Sequence, residues 1–563
     1  METDNFNDLA DMDIKTYTHG DLTLIAAICR KIGIRVVVDQ AVESRTSQFG
    51  RPSDISYGLV AEILLTIICT GHHPLYRIRE SLEDKDIEGI FKESIPLESL
   101  TDDRFARLLD RVHEMDPAWL YSQIRTKVLE KFGIEIKSIN YDTTSRIMWG
   151  EYETLGDGDT GVVKIEFGHS KDRRPDKKQV KVGIGVSDGV VVDANVMDGS
   201  KDDKTFNADK LDRMKDLAES LSANLEDLNY IADAAFFTKR NLAKAKEHGV
   251  SFIARAPDNL KVCRNLVDLY LQDKQGAVPV SIENTQSTPS NYSIKEYIDS
   301  HHGHECKFVV CESDKLRKQK EKIVAKKVSE EKEILSKQIK PYTKIAFQCE
   351  EDARNELKRL EKEWSRLKFH EVTASVIKEE KRGRGRPGAI PKVRHQYRLD
   401  FSIEQQEELI DKHISRESTF VLATNNKSLS GEEVLREYKT QSNVESRFRQ
   451  FKSPEFANAI YLKTPGRVAA LMYFMLMALT ILSAIEVTVR KELAKKGEAI
   501  RGPGGVKTKR PTFRSILLIM RHGISVLYIE GRRKIQSLRD SHRRILEILG
   551  LDTGIFTLGP SNA

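Results

Sequence analysis

Two aspartates and a glutamate in this chain have the type and spacing of oxygen ligands for hard cations. Asp142 ends a roughly alternating apolar stretch, Ile134, Ile136, Ile139 and Tyr141, and Asp233 ends the short apolar run Leu228 to Ala232. Both runs read as β-strands. Carboxylates at the C-terminal ends of strands converge on one edge of a sheet, where they bind hard cations through oxygen. Two Mg²⁺ ions held in this way activate an attacking oxygen and stabilise a leaving one in phosphoryl transfer. A strand-ending Asp is equally a turn residue or a cap. With 85 acidic residues in the chain, the pair alone leaves both readings open.

The glutamate is Glu445. Read as one helix, Tyr438 to Lys452 puts Tyr438, Gln441, Glu445 and Lys452 at offsets 0, 3, 7 and 14. At about 100° per residue these fall within an arc of roughly 60°. A carboxylate beside a phenol, an amide and a lysine suits a metal ligand next to a phosphate backbone. Charged helices also produce such stripes by chance, so the spacing by itself decides nothing.

The elements that must hold these residues are readable in outline. Residues 1–130 are expected to be helical: Leu22 to Ile32 stops at Gly33, a C-cap, and Thr101 precedes an acidic first turn. Such a set of short helices is either a helix-turn-helix reader of DNA or a plain bundle. From 131 to 257 the pattern turns to an α/β order. Val180–Val186 and Val190–Val196 are joined by Ser187-Asp-Gly, a hairpin signal. Asp203 to Leu221 reads as helix, then the Asp233 strand, a helix over Lys239–His248, and a strand over Ser251–Ala254. That order gives a mixed sheet flanked by helices. Residues 258–418 form an expected insertion, with polar loops near Asn284. It also contains a helical hairpin over Asp314–Leu367, marked by Val328, Leu335 and Tyr342 at heptad spacing and broken by Pro341. A strand at Phe420–Ala423 and the Glu445 helix return the chain to the α/β domain over 419–490. The remaining 491–563 is assigned to dimerisation.

Length and composition bound the rest. The 563 residues exceed one ordinary core, so several domains are expected. A charged fraction of 31% beside 39% apolar residues describes a globular, highly charged protein, with the 91 Lys and Arg unevenly spread. Local basic stretches suit a polyanionic partner and equally occur on solvated helices. Six cysteines give no disulfide framework and suit a reducing cytoplasm. The acidic N-terminus is unlike a secretory signal. Val468 to Ile485 is apolar for 18 residues, the lower limit for a membrane span, yet it contains Thr480 and Ser483 and follows a charged helix. It is read as a buried core helix, and no membrane partner is expected.

Several ordered motifs together resemble the DDE transposases of the insertion-sequence four superfamily, most of all its insertion-sequence 1634 branch. That superfamily's signature is Tyr, two residues, Arg, three residues, Glu, six residues, Lys. Residues 438–452 match it except that Gln441 stands where Arg is expected. Tyr141-Asp-Thr-Thr-Ser resembles the first-Asp motif, and Ile231-Ala-Asp-Ala-Ala-Phe-Phe the second. Gly168-His-Ser-Lys-Asp-Arg-Arg and Asp198-Gly-Ser-Lys-Asp-Asp-Lys resemble the stretch before the second Asp. The resemblance implies a ribonuclease H-like fold in which Asp142, Asp233 and Glu445 hold catalytic Mg²⁺, with Mn²⁺ able to substitute. It implies cleavage at transposon ends and strand transfer into target DNA by a homodimer on double-stranded DNA, in a prokaryotic cytoplasm at the nucleoid. Tyr438, Gln441, Arg449 and Lys452 are then expected along DNA, with Arg447 or Arg449 making up for the charge missing at Gln441. The rival readings are a ribonuclease H-like nuclease or resolvase that never joins DNA, and a non-catalytic DNA-binding relative.

Three further segments carry signals. Lys171, Arg173 and Arg174 lie in a basic loop between the two aspartates and are expected to touch phosphates. Arg384-Gly-Arg386-Pro resembles an AT-hook, whose arginines enter a narrow minor groove, and equally fits a solvated linker. His301-His-Gly-His-Glu-Cys306, with Cys311, fits no standard zinc spacing, and Lys307 to Cys311 reads as a strand.

Overall fold

Where apolar residues recur every second position, the chain builds a sheet, and the first such sheet carries the aspartates. The computed structural model describes residues 14–46, 54–71, 74–150, 152, 162–284, 287–382, 393–454, 456, 460 and 462–559. Two compact units emerge: Met1–Ala254 with Glu437–Ala563, and Arg255–Arg436.

In the first unit a short strand, β1 (Ile14–Tyr17), precedes helices at Gly20–Ile32, Ile34–Arg45, Tyr57–Gly71, Asp102–Glu114 and Pro117–Phe132. Gly33 closes the first of these in the left-handed conformation, with φ 87°. The sheet follows: β2 (Ser138–Ile147), β3 (Gln179–Ser187), β4 (Val190–Met197), β5 (Asn229–Ala232) and β6 (Ser251–Ala256). Their order is β4-β3-β2-β5-β6. β2, β3 and β4 are antiparallel neighbours, whereas β2, β5 and β6 run parallel. Asp188 and Gly189 join β3 to β4 with φ of 48° and 85°, the twist that a two-residue hairpin needs. The helical stretch expected over Asp203–Leu221 is two helices, Asp203–Asp212 and Met214–Ser220.

A 32-residue helix, Pro465–Lys496, runs through the interior of this unit. By length and composition it could cross a membrane, but its apolar window is entirely buried within the protein. Its few polar groups cap the backbone of β4: the Tyr473 hydroxyl accepts from Val196 N at 3.2 Å and Ser483 Oγ from Val191 N at 3.1 Å. An edge strand is thereby covered by a helix, and the expectation of a core helix matches where Val468–Ile485 lies.

In the second unit β7 (Val278–Asn284), β8 (Ser287–His301), β9 (His304–Ser313) and, after a hairpin of β10 (His370–Arg382) with β11 (Val393–Gln405), β12 (Thr419–Thr424) are antiparallel neighbours in the order β12-β9-β8-β7. Helices Asp314–Ile339 and Glu350–Trp364 are separated around Pro341. Leu335, Ile339, Leu360 and Trp364 from these helices pack with Leu399 of β11. The polar stretch near Asn284, expected as a loop, is instead part of hairpin strands, and the charged stretch before Arg384, for which the sequence offers no strand pattern, is one as well. Backbone pairing is indifferent to polar side chains on an open face, and Glu379 there bonds Arg398 at 2.9 Å and Gln396 at 2.8 Å across the ladder. Arg384 and Arg386 lie outside the described residues. His301 and His304 flank the β8–β9 turn, while Cys306 and Cys311 are buried in β9. The first unit ends with the hairpin β13 (Ile500–Arg501) and β14 (Lys507–Thr508), helix Phe513–Arg521, β15 (Ser525–Ile529) and β16 (Arg532–Ser537), and helix Asp540–Ile548. β15 pairs with β1.

Candidate active site

Register brings the two aspartates together. Ser138, Ile139 and Asn140 of β2 pair in parallel with Asn229, Tyr230 and Ile231 of β5. Asp142 and Asp233 each stand two residues beyond the last pair, so they are neighbours across strands spaced about 4.8 Å apart. Their direction is fixed from beneath by aromatic packing: Tyr141 stacks on Tyr230 with centroids 4.6 Å apart, and Phe206 meets Tyr141 edge-on. The Tyr141 hydroxyl donates to the buried Asp193 at 3.0 Å, and Lys210 pairs with the same carboxylate.

A third carboxylate joins them. Asp203, in the first turn of helix Asp203–Asp212, accepts from the Thr143 hydroxyl. Lys171 bridges the cluster, 3.0 Å from Asp142 Oδ1 and 3.3 Å from Asp203 Oδ2, and it also donates to Thr143 O at 2.7 Å. Lys181, almost wholly buried, lies 3.6 Å from Asp203. Burial raises the Asp233 carboxyl above its ordinary value, and the charges of Asp142 and Asp203 add to it. Asp203 moves the other way. Burial pushes it up, but the Thr143 hydroxyl and the Lys171 and Lys181 ammonium groups outweigh that and hold it low.

Glu445 comes from a different element, and here the structure corrects the reading of one continuous helix. Tyr438 belongs to helix Gly431–Lys439 and Glu445 to helix Ser442–Phe451, with a tight turn at Thr440 and Gln441 between them. The turn forms because its side chains bond to β2. Thr440 Oγ1 accepts from Asn140 Nδ2 at 2.8 Å, and Gln441 Nε2 donates to Tyr141 O at 3.0 Å. Lys452, at the other end, pairs with Asp172 at 2.5 Å. Glu445 is exposed and lies four residues after Gln441, which is tied to β2, and seven before Lys452, which is tied to the loop at Asp172. Val444, Phe448 and Phe451 anchor the adjacent face in the core. Replacing Gln441 with Ala is expected to lower stability by about 1 kcal/mol, the net worth of one hydrogen bond, read as a shift in the urea midpoint at unchanged slope.

The basic side chains take varied positions. Lys171 points inward to the carboxylates, as above. Arg174 is engaged with Asp176 through two bonds of 2.8 and 2.7 Å, and Arg173 is exposed with φ 57°. Arg449 is exposed and Tyr438 half-buried. Arg447, one of the two residues expected to stand in for the charge absent at Gln441, is 3% exposed and bonded to Glu486 at 2.9 Å and Gly189 O at 2.6 Å. It holds the fold together and does not face solvent.

Sequence reasoning missed Asp203 as a member of this cluster, and Asp172 as the partner of Lys452. Asp203 falls inside Asp198-Gly-Ser-Lys-Asp-Asp-Lys, and its one local signal was the paired Asp at a helix start, where Asp202 takes the cap. Asp172 lies next to Lys171 in the basic loop and carries no signal of its own.

The donor set fits a hard divalent cation in its chemistry. Asp142 and Asp203 both act electrostatically on Asp233, and Gln441 Oε1, on the side chain that bonds Tyr141 O, is a buried acceptor without a hydrogen-bond partner. Among the described residues, no group of three or more His, Cys, Asp or Glu side chains is drawn closely enough together to grip a metal ion as it stands. Lys171 supplies the positive charge between Asp142 and Asp203.

Comparison with known proteins gives the following. A family model described as a transposase DDE domain matches residues 159–481, and one described as a domain of unknown function matches residues 13–126. Asp233 and Glu445 fall inside the first match, and Asp142 just before it. No curated protein matches. Among solved structures, the cryo-EM structure of a piggyBac transposase synaptic complex with hairpin DNA is 9% identical, with 88% of this chain and 80% of that one covered at a TM-score of 0.35.

Proposed function

Because the chain belongs to the transposase DDE domain family, which matches more than half its length, we propose that it cleaves DNA at the ends of a mobile element and joins the freed 3′-hydroxyl to target DNA. The observation that carries this reading is the parallel register of β2 with β5, which sets Asp142 beside Asp233; the Gln441 bond to Tyr141 O, at the start of the helix that carries Glu445, supports counting Glu445 with them. Three antiparallel strands followed by two parallel ones are consistent with a ribonuclease H-like domain. The insertion-sequence four superfamily, and its 1634 branch, is the membership we favour from the Tyr438–Lys452 motif.

Asp142, Asp233 and Glu445 are the residues that would hold Mg²⁺ or Mn²⁺, which when bound supply Lewis-acid activation of the attacking and leaving oxygens. The remaining work falls to the protein. In the free protein the Lys171 ammonium bridges Asp142 and Asp203 and offsets their mutual repulsion. With DNA present it can turn to a phosphate oxygen, since a lysine stem is flexible and its charge is not directional. Arg173 and Arg449, both exposed, extend that contact along the backbone, and Lys452 reaches a neighbouring phosphate when it leaves Asp172. Arg384 and Arg386 add minor-groove contacts, on the strength of their sequence pattern alone. Two element ends require two active sites, so a homodimer on DNA is part of the proposal, as is a cytoplasmic, nucleoid-associated location.

The test is strand transfer. The full chain, with Mg²⁺ and a pre-cut end duplex, is expected to link that end covalently to a second duplex, seen as a new species on a denaturing gel. Hydrolysis without any linked product would replace this reading with a nuclease or resolvase. Neither product, on duplexes carrying the repeats that flank the gene, would make the chain an inactive relative.

A further inference from the structure

Residues 490–547 hold 16 Lys and Arg against 5 Asp and Glu, a surplus of +11 in a chain whose total is only +6. Everything outside this stretch is therefore net negative, and the positive surplus of the protein belongs to one end of it. Folding does not spend all of these charges on internal pairs. Arg490, Arg521, Arg533 and Arg544 are tied to Glu486, Asp21, Asp86 and Glu498 respectively. Arg501, Lys507, Arg539 and Arg543 are exposed, with no ion-pair partner among the described residues.

Those four free cations line one groove of about 1210 Å³ between the β13–β14 hairpin and the helices Phe513–Arg521 and Asp540–Ile548. Arg544 lines it too, and the only opposing charges in its described lining are Asp540 and Glu547. The hairpin is fastened to the start of the helix: Arg501 N donates to Ser541 Oγ at 3.2 Å, and Ser541 Oγ donates to Arg501 O at 3.3 Å. At its tip Gly504 and Gly505 adopt φ of 73° and 78°, and a side-chain carbon at either would meet nothing within 4 Å. A bare turn of this kind admits a close approach by another backbone.

We infer that this groove seats the sugar–phosphate backbone of duplex DNA, independently of sequence. The inference rests on the reading of DNA as the partner and adds a second place where it is held, away from the carboxylates. Arg and Lys side chains and a helix N-terminus are what phosphate oxygens recruit. The described lining has no Phe, Tyr or Trp on which an unstacked base could sit, which favours duplex over single strands. Like charges disfavour a second copy of the same surface in that position.

The experiment is fluorescence anisotropy with the full chain in chelator, using a labelled duplex of arbitrary sequence and its single strand, across a salt series. Counterion release gives a slope of about 0.9 per phosphate contact. Arg501→Gln, Lys507→Gln and Arg543→Gln combined should therefore flatten the duplex slope by up to about 2.7. The affinity lost between about 50 and 200 mM salt would then shrink roughly 40-fold. If the triple variant does not melt like the parent, Arg543→Gln alone should flatten the slope by about 0.9. An unchanged slope overturns the inference and leaves the proposed function standing. So does a slope unchanged on duplex but altered on single strands, or an unchanged slope with a loss of self-association in sedimentation. A parent protein that binds no DNA at all overturns both.

Discussion

Asp142→Asn, Asp233→Asn and Glu445→Gln are each expected to lower the rate of end cleavage by about 10³-fold or more, while affinity for the end duplex changes by no more than about twofold. The magnitude follows from the several kcal/mol of charge stabilisation that metal-bound oxygens contribute, at tenfold per 1.36 kcal/mol. An amide keeps the shape of the carboxylate but cannot ligate a hard cation as strongly. The stability readout separates this from structural damage. Asp233 is held above its ordinary value by burial and by the neighbouring charges of Asp142 and Asp203. A carboxyl with a raised folded pKa stabilises the fold when protonated, and that contribution fades as pH rises through the folded pKa. Asp233→Asn makes the group neutral at every pH, so the variant should be at least as stable as the parent at neutral pH. Cleavage near the parent rate in any one variant, measured with Mg²⁺ on a labelled end duplex, removes that residue from the site. A cleavage defect that tracks lost thermal stability would mean that the carboxylate holds the fold instead.

The site was legible to the extent that its residues carry local patterns. Asp142 and Asp233 each follow a run of alternating or continuous apolar residues, which is visible without a structure; β5 does stop before Asp233, whereas β2 continues past Asp142 to Ile147, so the strand end expected at Asp142 is a mid-strand position. The register that sets them side by side is not local: Asn140 meets Ile231 across 91 residues of sequence. The stripe from Gln441 to Lys452 was visible as well, yet its geometry was misjudged at Tyr438. No proline or glycine marks the break at Thr440. It is made by bonds to Asn140 and Tyr141, 300 positions away. Charge is hard to read for the same reason. Lys171 and Arg447 look alike as candidates for phosphate contacts in sequence, but the fold pairs the first with Asp142 and Asp203 at an accessible position and buries the second against Glu486. In the second unit, the helical hairpin showed in its heptads and Pro341. The β10–β11 ladder did not, because its exposed faces carry Glu and Lys where strand patterns are sought among Val and Ile.

Glu486→Ala is expected to destabilise the first unit by about 3–5 kcal/mol, the range for breaking a buried ion pair by removing one partner. Glu486 is 2% exposed in the C-terminal third of the long helix, and it is shared three ways. Oε1 takes Arg447 at 2.9 Å and Arg490 at 2.9 Å, and Oε2 accepts Phe513 N at 2.8 Å. Deleting the carboxylate strands the Arg447 guanidinium, 3% exposed, with Gly189 O and Gln450 as its remaining partners. An uncompensated buried charge outweighs the packing lost with the side chain, so the double variant Glu486→Leu with Arg447→Met should recover much of the loss. The effect reaches chemistry because Arg447 sits two residues after Glu445 on the same helix. In the double variant stability returns, but the helix loses its bond to the β3–β4 turn. Cleavage should therefore remain below the parent even where urea midpoints agree. A loss under about 1 kcal/mol in Glu486→Ala, the level of an exposed pair, would mean that water reaches this carboxylate and that the helix carrying Glu445 is held by its apolar face alone.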